Sequence, residues 1–218
     1  MTDTPVVDKR TAILDATRQL IVERGFHNTP MSQIASRAGV SAGTVYHYFE
    51  NKDDLIHQLY KHTKARMGTA LMSQDLMDLP FTEQIKTVWL RAYRFYVANP
   101  EATQYLEQYE NSTYYKPVDV NDFDENMQAL FIMMQTGMQK GELKRLPPPV
   151  LHEIWFNAAV RVARQQVNGH INLDEETLDR LGRSPNFCGI KESSGDINRL
   201  HMIVHTAKQT KMRVIASD

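Results

Sequence analysis

The sequence predicts an all-α protein, with a small three-helix N-terminal domain followed by a longer helical body. Three observations carry this. Apolar residues recur at three- and four-residue spacing through most of the chain as far as Leu181. Capping residues, glycines and prolines fall at the ends of those periodic runs, where helices start and stop. Between residues 29 and 49 the run TPMSQIASRAGVSAGTVYHYF reads as two short helices around a glycine corner. One stretch departs from this pattern, a strand-helix-strand tail after residue 183.

The first helix spans Lys9 to Arg24, with Asp8 as its cap and Gly25 as its stop. Ile13, Ala16, Leu20 and Ile21 form its apolar stripe, and Phe26 packs beneath the next element. The second helix is Met31 to Ala38, with Ile34, Ala35 and Ala38 on one face. Thr29 is its expected cap and Pro30 its first residue, where a missing N–H costs nothing. Gly39 supplies the left-handed turn that ends it. Ser41 then caps a helix from Ala42 to Phe49. Val45 and Phe49, four apart, share its buried side, which leaves Thr44 and His47 opposite with Gly43 beside them. A short helix held on one flank and polar on the other is the plan of a helix-turn-helix, whose second helix enters the DNA major groove.

Residues from about Thr11 to Leu59 resemble the DNA-binding domain of TetR-type transcriptional regulators. The matching residues are Ile34-Ala35, Ala38-Gly39-Val40-Ser41, Gly43-Thr44-Val45-Tyr46-His47-Tyr48-Phe49, Asn51-Lys52 and Leu55. Pro30 departs from the family, which often has a threonine there. The resemblance places Thr44, Tyr46 and Tyr48 against DNA, with Gly43 allowing close approach, and helix geometry adds His47. Lys52, Thr29 and Ser32 lie near helix N-termini, where backbone N–H groups and side chains meet phosphates. Tyr46 and Tyr48 have an alternative role as half-buried staples of the domain.

Beyond the motif, Asn51 restarts the chain as a long helix carrying Leu55, Ile56, Leu59, Thr63, Met67 and Leu71. This helix is a rigid spacer, or a lever between the two halves. Further helices are expected over Phe81 to Ala98, Pro100 to Tyr109, Asn121 to Lys140 and Val150 to Asn168, with a last one starting at Leu173-Asp174. Asn99 is expected to cap the helix that Pro100 opens, and Asn111 to Val120 is expected as a loop. The domain division is 1–52 for DNA binding, 53–183 for effector binding and dimerisation, and 184–218 for the tail. By resemblance the body holds an unknown small-molecule effector. Trp89, Tyr93, Tyr96, Tyr105, Tyr109, Phe131, Met134 and Trp155 are the candidate walls, although such stripes also serve as plain core. Ala158, Ala159, Val162 and Ala163 are the candidate dimer surface, their small side chains permitting close packing.

The tail contains PNFCGIKESSGD followed by INRL, which resembles part of the dihydrodipicolinate synthase and N-acetylneuraminate lyase family of barrels. That resemblance would make Lys191 a Schiff-base lysine. The rest of the barrel is missing, and a lysine becomes nucleophilic only in a preorganised site that lowers its pKa. The expectation is a regulator cut within its last helix and joined to a barrel fragment that packs loosely, with dimerisation exposed to the change.

Composition bounds these readings. The chain has 218 residues, 42% hydrophobic and 23% charged, as expected of a soluble globular protein. No signal peptide or membrane span is expected. A single cysteine, Cys188, excludes an internal disulfide and suits a cytoplasmic protein. Neither a metal nor a cofactor is expected. The net charge of −1 does not advertise nucleic acid, so binding rests on local placement, helix N-termini and dimerisation. The function expected is a ligand-responsive regulator, a repressor by family expectation, binding near-palindromic double-stranded operator DNA as a homodimer. The alternatives are a pyruvate-dependent lyase through Lys191 and a protein-interaction module without DNA binding.

Overall fold

The computed structural model describes residues 8–116, 119–174, 176–178, 190–192 and 214–216. Helix α1 (Lys9–Arg24) begins where Asp8 accepts from the Arg10 N–H at 3.3 Å and from the Thr11 hydroxyl at 3.2 Å. It ends at Gly25, whose φ of 76° suits a residue without a side chain. Helix α2 (Met31–Ala38) closes in a Schellman turn. Gly39 takes φ 67°, its N–H reaches the Ser36 carbonyl at 3.2 Å, and Val40 N–H reaches Ala35 at 3.0 Å. Helix α3 (Ala42–Tyr48) starts at Ser41, whose hydroxyl accepts from Thr44 N–H at 3.1 Å. Helix α4 (Lys52–Leu71) starts at Asn51, whose side chain accepts from Asp54 N–H at 2.9 Å.

The chain continues through the short α5 (Gln74–Met77), then α6 (Phe81–Ala98), α7 (Pro100–Glu110) and α8 (Glu125–Gln139). Asn99 precedes Pro100 but does not cap α7 with its side chain; its amide donates back to the Phe95 carbonyl instead. Helix α8 begins four residues later than the sequence suggests. A 3-10 turn at Val120–Asp122 intervenes, and the Asp124 carboxylate, accepting from Met127 N–H, sets the start. The next long segment comprises α9 (Pro148–Leu151), a π turn at His152–Phe156 and α10 (Asn157–Val167). Residues 176–178 are helical, and Asp174 caps them through Thr177 N–H at 2.7 Å. Ile190–Glu192 (β1) and Val214–Ala216 (β2) lie side by side in parallel, Lys191 opposite Ile215. The expected helix between them and the packing of the tail on the body lie outside the described residues, as do Glu175 and Leu181 of the last helix. Among the described residues no helix is long and apolar enough to cross a membrane.

Two apolar cores result. The head core gathers Ile13, Leu20 and Ile21 of α1, Ile34 of α2, Val45 of α3, Phe49, and Leu55 and Leu59 of α4. The body core gathers Met67 and Leu71 of α4 with α6, α8 and α10. Helix α10 lies along α6, so Ala159 and Ala163 are buried in the protomer's own interior. Helix α8 crosses α4 at Gly68, where a Cβ would come within 2.9 Å of Met127 Cγ. Helix α4 therefore serves both cores. Helix α7 joins the head core through Tyr105, Leu106 and Tyr109, while its Glu107 pairs with Arg164 of α10 and its Glu110 with Lys64 of α4. Near its start Glu101 lies 3.5 Å from Arg18 of α1.

Candidate nucleic-acid interface

Val45 and Phe49 are almost completely buried, and each contributes about 1.5–3 kcal/mol of burial. They fix the rotation of α3 about its own axis. Its opposite side is thereby presented outward: Gly43, Tyr46 and His47 are exposed, and Thr44 is half-exposed. Tyr46 is 56% exposed, so more than half of its surface is open on this flank. Tyr48 is half-buried; it packs against the head core and meets His47 edge-on at 5.2 Å. Thr44 Oγ1 sits 2.9 Å from Ser41 Oγ, which holds the threonine methyl and hydroxyl in one orientation. Beside Gly43 the space is open: a methyl placed there would meet only Ser41 Oγ, at 3.8 Å. Ser32 is exposed on the first turn of α2.

Two of the residues assigned to phosphates are placed differently by the tertiary structure. Thr29 is fully buried, and its hydroxyl donates to the Gly25 carbonyl at 2.9 Å. It neither caps α2 nor meets solvent; Pro30 occupies the cap position with no side-chain bond. The α1–α2 turn folds back on itself, and the threonine serves that turn. Lys52 is half-buried and its ammonium donates to the Phe26 carbonyl, so it ties α4 to the same turn. Burial pushes its pKa down, with the Asp53 charge acting in the opposite sense. Two of its three N–H donors remain for other partners.

The other cations of the head are largely cross-tied. Arg37 grips both carboxylate oxygens of Glu23, at 2.8 and 2.9 Å, and Arg24 reaches Gln33 at 3.0 Å. The bond with Arg37 lowers the Glu23 carboxyl below its ordinary range and raises Arg37. Sequence reasoning missed this brace, because its partners stand far apart in the chain. These pairs hold α2 against α1 and leave the head without a broad basic surface. Recognition then depends on the shape and hydrogen-bonding groups of α3.

In the body, Trp89, Tyr93, Tyr96 and Met134 lie in one core, with Phe131 and Trp155 packed at its edge. Trp89 stacks on Tyr93 at 6.1 Å and donates to the Trp155 carbonyl at 3.2 Å. Tyr105 and Tyr109 do not belong with them. Tyr105 donates to the Ile56 carbonyl at 2.7 Å, and Tyr109 stacks on Tyr60 at 4.4 Å and meets His57 Nδ1 at 3.2 Å. Both are head-core residues, because α7 turns its middle toward α1 and α4. Two open clefts, of about 610 and 260 Å³, flank the start of α4 and the loop around Tyr114 and Lys116. None of the eight candidate effector walls lines either cleft. Of the candidate dimer residues, Ala159 and Ala163 face α6 and are unavailable to a partner, whereas Ala158 and Val162 are half-exposed.

A recognition helix pinned through Val45 and Phe49, set on a helical body, defines a helix-turn-helix DNA-binding regulator of transcription. The chain belongs to the tetR family of bacterial regulatory proteins. The family's N-terminal model matches residues 13–59, and a second, described as a tetracyclin repressor-like C-terminal domain, matches residues 80–183. An HTH-type transcriptional regulator of Haemophilus influenzae is 34% identical over 175 residues, spanning 80% of this chain and 91% of that protein. The fatty acid metabolism regulator protein of Bacillus subtilis is 27% identical over 169 residues, 75% of this chain and 80% of that protein. A TetR-family regulator from Marinobacter aquaeolei superposes with a TM-score of 0.71 at 23% identity, covering 80% of this chain and 91% of that one. The regulator FadR of Bacillus subtilis, solved in complex with stearoyl-CoA, shares the fold at a TM-score of 0.54 and 22% identity, covering 79% and 92%. Both family models end by Arg183, so they lend no support to the lyase resemblance of the tail.

Proposed function

We propose that the protein is a ligand-responsive repressor that binds a near-palindromic operator as a homodimer in the cytoplasm. The observation that carries the DNA-reading surface is the exposed flank of α3, Gly43, Thr44, Tyr46 and His47, set opposite the buried Val45 and Phe49. Tyr48 borders that flank, Ser32 offers a hydroxyl to the phosphate backbone, and Lys52 keeps donors for it. Two copies related by a two-fold axis would present two such helices about one DNA turn apart. The outward side of the α9–α10 segment suits the partner, with Val150 exposed and Ala158 and Val162 half-exposed.

The likeness to the fatty acid metabolism regulator supports an effector held in the body. Its walls are those aromatic and methionine residues that share the body core: Trp89, Tyr93, Tyr96, Phe131, Met134 and Trp155. An effector acts only through a difference in affinity between the DNA-binding arrangement and another. Selection of bound sequences from random DNA tests the reading. A palindromic consensus with half-sites about one turn apart is expected. Recovery of no sequence above background would end it. Sedimentation of the full chain beside a chain ending at Arg183 tests the dimer, which a monomer at micromolar concentration in both would exclude.

A further inference from the structure

The start of α1 is distant from α3 along the chain, yet side chains tie it to the end of the recognition helix. Arg10, the second residue of α1, is half-buried, and its guanidinium lies over the Phe49 ring, 5.6 Å from the centroid. Phe49 occupies the C-cap of α3 and is 1% exposed. The cation therefore rests on one of the residues that fix the rotation of that helix. A guanidinium on an aromatic face gains from the ring and keeps its planar donors for other partners.

One of those donors reaches Gln58 Oε1 of α4 at 2.5 Å. The other end of the same amide, Gln58 Nε2, donates to both Asp54 oxygens, at 2.9 and 3.1 Å. Asp54 Oδ2 in turn accepts from the backbone N–H of Glu50 at 3.0 Å, in the residue that follows Phe49. Donor and acceptor rules leave the amide one orientation. A guanidinium only donates and an ionised carboxylate only accepts, so Gln58 turns its oxygen to Arg10 and its nitrogen to Asp54. Both ends of the chain are charged, which strengthens these bonds over neutral ones. Asn51 already caps α4 through the Asp54 N–H at 2.9 Å, so the bond from Glu50 acts on the corner between α3 and α4.

We infer that Arg10 and Gln58 are positioning residues for operator recognition, and that the chain Arg10–Gln58–Asp54–Glu50 sets the angle at which α3 meets the α3–α4 corner. They act through the Phe49 ring and the Glu50 backbone and read no base themselves. Val45 and Phe49 decide which side of α3 is dry; the chain decides the tilt of the outward side against the duplex. A hydrogen bond to a base edge weakens steeply as its angle departs from linear, so a small change in tilt costs specific binding before it costs stability. The inference rests on α3 being the reading helix.

The test compares full-length variants on the operator recovered by selection and on a scrambled duplex of equal length, by fluorescence anisotropy over a series of salt concentrations. Gln58→Leu breaks the chain without changing any charge. Its operator affinity should fall about tenfold or more, the worth of one base contact, while affinity for the scrambled duplex and the salt slope stay as in the parent. Gln58→Glu sets two carboxylates against each other and should show the same loss. Adding Asp54→Asn to it rebuilds the chain with one donor and one acceptor exchanged, at the net charge of the parent, and should recover most of the operator affinity. That rescue decides the matter even if Gln58→Leu proves too unstable to assay. Parental operator affinity in Gln58→Leu, in protein that urea unfolding shows to be folded, would reduce the chain to a stabilising one and overturn the assignment. Absence of rescue in the double variant would overturn it too. A salt slope reduced by about one in Arg10→Met would make Arg10 a phosphate contact and overturn its positioning role. A parent that binds operator and scrambled duplex alike would instead remove the reading role of α3, a separate failure.

Discussion

Gly43→Ala separates what α3 contributes to the protein from what it contributes to DNA binding. Gly43 lies in the first turn of α3 and has no positive φ, so alanine can adopt its backbone without strain. The added methyl meets nothing inside the protein closer than Ser41 Oγ at 3.8 Å. The folded state therefore loses nothing, and the unfolded chain loses freedom, so stability should rise by about 0.4–1 kcal/mol. On DNA the same methyl stands on the flank that meets the duplex, beside Thr44 and His47. Forcing one carbon into a close-packed contact costs about 1–3 kcal/mol. That corresponds to a loss of operator affinity of roughly 5- to 150-fold. Urea denaturation gives the first quantity, and fluorescence anisotropy with labelled operator gives the second. A variant that is more stable and binds more weakly fits the assignment. Unchanged affinity would show that Gly43 is not at the DNA surface. Lower stability would show that the open space beside it is misassigned.

Thr29→Val removes a buried hydroxyl that holds Gly25, and should cost about 1–3 kcal/mol in urea unfolding. The dependence of operator affinity on salt should stay as in the parent; a slope reduced by one phosphate contact would restore Thr29 to the DNA surface. Tyr105→Phe should lower stability by about 0.5–1.5 kcal/mol, through loss of its bond to the Ile56 carbonyl. Retained stability would mean that this bond adds nothing to the joint between α7 and the head. The pH dependence follows from His57, His62 and His152, whose pKa values are all lowered chiefly by burial. Each binds its proton more readily when unfolded, so stability is complete above about pH 6.5 and falls as pH drops toward the folded values. Urea midpoints between about pH 7.5 and 5.5 should decline; a flat or rising series would refute the shared direction.

The helices of the head and the long helix of the body were legible because their signals are local. Asp8, Ser41 and Asn51 cap through atoms two or three residues away, and Gly39 ends α2 by its own backbone. The bounds of α1, α2 and α6 follow from such signals together with the apolar spacing. The start of α8 was less legible, since Asn121, Asp122 and Asp124 are all plausible caps and only the 3-10 turn decides among them. The flanks of α3 were legible for another reason. A helix of this length has room for one buried side, and Val45 and Phe49 are the residues that claim it.

By itself, then, the amino-acid order determined where the chain coils and which side of the recognition helix must be dry, because caps and apolar periodicity act within a turn or two. Only the tertiary structure decided what covers each remaining face. It sent Tyr105 and Tyr109 into the head, turned Thr29 and the alanines at 159 and 163 inward, bound Lys52 to the Phe26 carbonyl and enclosed Lys64 between two cores. The physical reason is that a helical residue's burial depends on the neighbour laid against it. That neighbour comes from a distant part of the chain, and no nearby residue announces it.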